Sequence, residues 1–116
     1  MPSDAALVAR LRRLCLALPA TSETAAFGHP NWRVGKKTFA VFEHYRGRRC
    51  ICFKTTLLEQ QALIQEPRFF PAPYVGRHGW VSLDVDMGLD WEEVRHFVVQ
   101  SHRAVAPARL LRKPRG

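Results

Sequence analysis

No stretch of this sequence is long and apolar enough to span a bilayer. The nearest, MPSDAALVARLRRLCLALPA, is broken by Arg10, Arg12 and Arg13, which neither a signal-peptide core nor a membrane helix tolerates. A cytosolic protein with no membrane role is therefore expected. Cysteine is equally sparse. Three residues with no C-x-x-C spacing supply neither a disulfide framework nor a zinc ribbon. Cys50 and Cys52 with His44 would leave a tetrahedral site incomplete, so no metal is expected. Also missing are G-x-S-x-G, a Gly-rich phosphate loop, H-E-x-x-H and paired carboxylates in matching loops. These absences argue against an enzyme, and neither a catalytic residue nor a cofactor is assigned. Acids are few as well: ten Asp and Glu stand against eighteen Lys and Arg, a formal charge of +8. That imbalance favours a polyanionic partner, either nucleic acid or a small anionic ligand, over the plain alternative of a basic surface that only maintains solubility.

What is present is an ordinary globular composition, 47% hydrophobic and 24% charged over 116 residues, which fits one domain with one core. Leu7, Leu11, Leu14, Cys15 and Leu18 recur at helical spacing after a cap at Ser3 or Asp4 and before Pro19. Thr21 to Phe27 is compatible with a strand, and Gly28-His29-Pro30-Asn31 reads as punctuation before Trp32-Arg33-Val34. Thr38 to Tyr45 alternates, with Phe39, Val41 and Glu43 on one side and Ala40, Phe42 and His44 on the other. Arg46-Gly47-Arg48 turns the chain into a strand ending at Lys54. Thr56 and Glu59 form a capping pair for a second helix running to about Glu66. Phe69 to Val75 suits an edge strand or an irregular segment, Gly76 to Gly79 a loop, and Trp80 to Val85 a strand. Asp90 and Glu93 open a third helix that Pro107 ends. The segregated order predicts α+β architecture: a two-layer sandwich in which helices cover one face of an antiparallel sheet. Its core is expected to hold Leu11, Leu14, Phe39, Val41, Phe53, Leu83, Val94, Phe97 and Val98. Residues 1–107 form the domain, and 108–116 a flexible basic tail.

Four segments in order, LCLALPATSET, FGHPNWRVGKKTFAVF, ICFKT and PAPYVGRHGWVSLD followed by DWEEV, resemble the MmcQ/YjbR family from about Leu7 to Val105. The resemblance implies a CyaY-like fold and a proposed double-wing DNA-binding surface. The frataxin-like iron protein CyaY itself presents an acidic first helix. Here that helix carries three arginines against Asp4, so iron binding is not carried over. Pro107 and the arginine-rich tail depart from the family pattern and bear only on the C-terminus.

Between Arg33 and Lys54 seven cations (Arg33, Lys36, Lys37, Arg46, Arg48, Arg49, Lys54) face one acid, Glu43, and most fall at hairpin turns, where side chains reach outward to phosphates. From Val94 onward come Arg95, Arg103, Arg109, Arg112, Lys113 and Arg115 with no acid. A basic helix end also answers the helix dipole by itself. His29, Trp32, Lys54, Tyr74, His78 and Trp80 form a candidate pocket in which aromatics beside cations could hold bases or a planar ligand. Against this, tryptophans flanking strands commonly plug a core. The leading expectation is a monomeric, non-enzymatic DNA-binding protein that contacts mainly phosphates. A small-molecule or nucleotide pocket and a protein-interaction adaptor are the alternatives.

Overall fold

The computed structural model describes residues 2–111. Helix α1 spans Asp4–Leu16 and starts where the Ser3 hydroxyl accepts from the Ala6 amide at 3.1 Å. That bond supplies one of the amides a helix start leaves orphaned, worth about 1 kcal/mol. Leu7, Leu11 and Cys15 recur every fourth residue and are buried.

Four strands follow as a meander: β1 (Thr21–Ala26), β2 (His29–Val34), β3 (Lys37–Tyr45) and β4 (Arg48–Lys54). After α2 (Leu57–Leu63) come β5 (Phe69–Pro71) and β6 (Trp80–Asp84). Helix α3 (Trp91–Val105) and one further turn, α4 (Ala108–Leu111), complete the described residues. The strands make one six-stranded sheet in the order β1-β2-β3-β4-β6-β5, every pair antiparallel. The α+β architecture expected from the sequence is the one observed.

Tight two-residue turns set the registers. Phe27-Gly28 and Arg46-Gly47 have φ of 52° and 77°, and of 49° and 76°, the doubly positive pattern of a type I′ hairpin. The turn read at Gly28–Asn31 is therefore displaced, and His29 already lies in β2. Pro30 is tolerated because β2 pairs with β3 only from Asn31 onward, so the missing N–H faces no ladder there.

Cross-strand rows build the core. Trp32, Ala40, Phe53 and Val81 are partners in adjacent strands, as are Phe42, Ile51, Leu83 and Phe69, and all are buried. Helices α1 and α3 cover this face, with Phe53 stacked on Phe97 at 4.5 Å between ring centroids. Each such large side chain contributes about 1.5–3 kcal/mol by leaving water. The register shifts between Trp32 and Arg33, so Phe39 has no partner in β2. This bulge turns Phe39 inward with its neighbour Ala40, and its ring meets His102 of α3 edge-on at 5.2 Å. The alternation that grouped Phe39 with Val41 fails there, and Val41 faces away from the helices. Leu14 and Phe97 are partly buried at the core's margin.

The Thr56–Glu59 cap forms, with the Glu59 amide donating to Thr56 Oγ1 at 3.1 Å, but α2 stops at Leu63. Its first-turn Leu57 and Leu58 are exposed; the buried residue is Gln60, whose amide donates to the Gly76 and Trp80 carbonyls. Gly76–His78 is a turn of 3-10 helix rather than an open loop. Residues 108–111 of the basic tail form a helical turn; 112–116 lie outside the described residues.

Candidate functional site

One end of the sheet gathers cations that make no ion pair among the described residues. The β2–β3 turn carries Lys36, β3 opens at Lys37, β4 ends at Lys54, and β6 is entered through Arg77 and His78. Helix α3 finishes beside them because Ser101 is fastened to the sheet: its hydroxyl donates to the Phe39 carbonyl at 2.6 Å and accepts from the Lys54 amide at 2.9 Å. Arg103 follows one half-turn later, and Arg109 lies beyond Pro107. Gly79 closes this corner. Its φ is 91°, and a Cβ there would stand 2.1 Å from the Thr55 carbonyl oxygen, so no other residue fits.

Two shallow recesses open here. One of about 470 Å³ is lined by Lys54, Thr55, Thr56, His78 and Arg103, with Glu59 its one carboxylate. The other, about 280 Å³, is lined by Lys37, Thr38, Lys54, His78 and Trp80. Lys54 and His78 belong to both, and Lys54 Nζ donates to the His78 carbonyl at 3.2 Å.

The β3–β4 hairpin at the other end is different. Arg46 at its tip is exposed, but Arg48 Nε donates to Asp84 Oδ2 at 2.7 Å and its guanidinium lies 4.2 Å from the Phe70 ring centre. Arg49 bridges Asp86, Asp4 and the Pro2 carbonyl and is only 15% exposed in its side chain. Both were read as exposed turn cations; both are tied into the fold. The hydrogen bond from His44, and then that from Arg49, hold the Asp4 carboxyl below its ordinary range, and Arg49 does the same for Asp86. Arg33 donates to the Lys36 carbonyl and braces its own turn. Arg112 and Lys113 fall outside the described residues.

The six-residue aromatic and cationic pocket is divided. Trp32 is fully buried in the core, where its Nε1–H donates to Glu23 at 2.9 Å while Arg12 holds the same carboxylate, so it faces no pocket. Lys54 and His78 belong to the basic end. His29 and Trp80 line a cleft of about 290 Å³ on the sheet face the helices leave open, together with Phe27, Asn31, Val41, Glu43 and Cys52. Tyr74 lies between two of its lining residues, Pro73 and Val75, and is itself 96% exposed. Sequence reasoning did not single out Phe27, Asn31, Arg77 or Arg103 as one site with the rest. The one available signal was Phe27 directly before a turn glycine, a place normally taken by Asn, Asp or Gly.

All three cysteines are free and buried. Burial pushes the Cys50 thiol up to about 12 and raises Cys15 and Cys52 as well. His44 pairs with Asp4 of α1, on the sheet face opposite Cys50 and Cys52, so the three do not converge. Among the described residues no three His, Cys, Asp or Glu are grouped to hold a metal, and no helix is long and apolar enough to cross a membrane.

The family model YjbR matches residues 16–104. The crystal structure of Deinococcus radiodurans protein DR2400, a DUF419 domain, superposes with a TM-score of 0.74 at 21% identity, covering 84% of this chain and 77% of that one. No curated protein matches the sequence.

Proposed function

The chain belongs to the YjbR family, and from that premise together with its charge distribution we propose that it is a non-enzymatic nucleic-acid-binding protein. Its interface is the basic end formed by Lys36, Lys37, Lys54, Arg77, Arg103 and Arg109. The observation that carries this reading is the partition of charge. Among the described residues the seven ion pairs use Arg12, Arg48, Arg49, Arg68 and His44, and none uses a cation of that end. Unpaired cations keep their full field for a phosphate backbone, whereas paired ones have already been neutralised locally. Glu59 is the single carboxylate lining either recess. The dipole of α3 accounts for a cation such as Arg103 in its last turn, but not for Lys36, Lys37 or Arg77 on separate elements.

An interface of lysines and arginines around shallow recesses favours phosphate contacts over base readout, so binding is expected to depend weakly on duplex sequence. Tail residues Arg112 and Lys113 follow Arg109 in sequence and extend the same positive run. Buried free thiols suit a reducing compartment such as the cytosol. The test is a salt titration of binding to a mixed-sequence duplex. Binding should weaken steeply with salt, and the Lys36→Ala, Lys37→Ala, Lys54→Ala triple variant should shallow the log–log slope by up to about three units. No binding at low salt, or an unchanged slope in the variant, would overturn the proposal.

A further inference from the structure

Three independent features meet at the cleft on the helix-free face of the sheet. The first is an aromatic lining residue, Phe27, set out in water at a cost, with a second aromatic, Tyr74, between the lining residues Pro73 and Val75. Phe27 is 99% exposed and Tyr74 is 96% exposed, and both hold left-handed backbone conformations, with φ of 52° and 66°. Non-glycine residues seldom adopt that region, and a type I′ turn would normally seat Asn or Gly where Phe27 sits. Strain of this kind persists where surrounding structure enforces it and often marks a functional position.

The second feature is a carboxylate without a cation. Glu43 makes none of the ion pairs among the described residues, although the chain carries a formal charge of +8. What it accepts is the Cys52 thiol at 3.3 Å. Buried Asn31 lies alongside; its Nδ2 donates to the His29 carbonyl at 3.0 Å, which leaves the amide oxygen as an acceptor. The cleft lining thus offers acceptors in Glu43 and Asn31 and aromatic rings in Phe27 and Trp80.

The third is continuity. Thr38 and Trp80 line both this cleft and the recess that holds Lys37 and Lys54. At about 290 Å³ the cleft falls at the small end of ligand sites, room for one ring system.

We infer that this cleft takes one unpaired guanine of a single-stranded nucleic acid, with Glu43 accepting from the base and the adjoining phosphates reaching Lys37 and Lys54. Guanine presents two adjacent N–H donors, N1–H and the exocyclic amine, that one carboxylate accepts together. Thymine offers one N–H between two carbonyl oxygens that the carboxylate repels. Stacking on Phe27 or Trp80 is indifferent to base identity, so it adds affinity while Glu43 adds selection. This inference rests on the nucleic-acid reading for its phosphates, but not for its cleft.

The experiment compares a labelled oligothymidine strand with the same strand carrying one central dG, by fluorescence anisotropy, and measures free guanosine by calorimetry. The dG strand should bind about tenfold tighter than oligothymidine. Glu43→Gln, which keeps an acceptor for Cys52, should abolish that preference while retaining oligothymidine binding and its salt slope. Phe27→Ala, at a fully exposed turn, should weaken both strands by about tenfold with no loss of folding. Equal affinity for the two strands, or a preference that survives Glu43→Gln, would overturn the inference. If neither strand binds, the phosphate interface fails, and guanosine decides the cleft: binding that Glu43→Gln removes sustains it, and no binding refutes it.

Discussion

Replacing Arg48 with Ala should unfold the protein far more readily than replacing Arg46, two residues earlier on the same hairpin. Arg48 Nε donates to Asp84 at 2.7 Å, its Nη2 reaches the Pro67 carbonyl at 3.3 Å, and its guanidinium lies 4.2 Å from the Phe70 ring centre. The Asp84 side chain is 8% exposed, so the substitution strands a nearly buried carboxylate; Arg48 is 35% exposed, so part of the pair is already screened by water. Breaking a fully buried pair costs about 3–5 kcal/mol, and the screened end removes about half of that. Loss of the ring contact adds about 0.5–1 kcal/mol. The expected destabilisation is about 2–3.5 kcal/mol, a fall in Tm of roughly 10 °C for a domain of this size. Arg46 is exposed and touches only the Tyr45 ring at 5.2 Å, so Arg46→Ala should stay within about 0.5 kcal/mol of the parent. Urea unfolding of the two variants, with Asp84→Asn and the Arg48→Ala, Asp84→Asn double variant to close the cycle, measures the pair directly. Equal stability of Arg46→Ala and Arg48→Ala would refute the assignment of Arg48 to the fold.

Acid should destabilise the protein through its paired carboxylates. Arg12 holds Glu23 below its ordinary 4.5, and His44 and Arg49 hold Asp4 and Asp86 below 3.8, so each binds its proton more weakly folded than unfolded. Their contribution is full above about pH 5 and is lost as pH falls through 4.5 and below, so urea midpoints should drop over that range; midpoints flat from pH 5 to pH 3 would contradict the pairing. The three thiols, buried and pushed up, should react with a thiol reagent only after unfolding. Stoichiometric labelling of the native protein would show that the sheet opens more easily than its packing implies.

The fold was legible because its signals are local. Ser3, Thr56 and Asp90 announce helix starts, Pro19 and Pro107 follow helix ends, and three of the strand boundaries fall at glycine-bearing turns. The Phe39 bulge was not legible, because it depends on how β2 and β3 slip past each other around Trp32, a tertiary choice with no sequence marker. Side-chain engagement was hidden for the same reason. Arg46, Arg48 and Arg49 look alike along the chain, yet only the pairing of β4 with β6 brings Asp84 beside Arg48. Likewise Trp32 and Trp80 both lie in strands close to turns, but one faces the helices and the other the open cleft. Lys37, Lys54 and Arg103 belong to three distant segments that Ser101 draws to one corner.

The location of the interface is tested most directly by backbone amide NMR during titration with a short mixed-sequence DNA duplex at low salt. The account predicts that the largest shifts gather at Lys36, Lys37, Lys54, Thr55, His78 and Arg103 and fade as salt is raised. Shifts centred on the Arg46–Gly47 tip at the opposite end of the sheet, or no shifts at all, would contradict it.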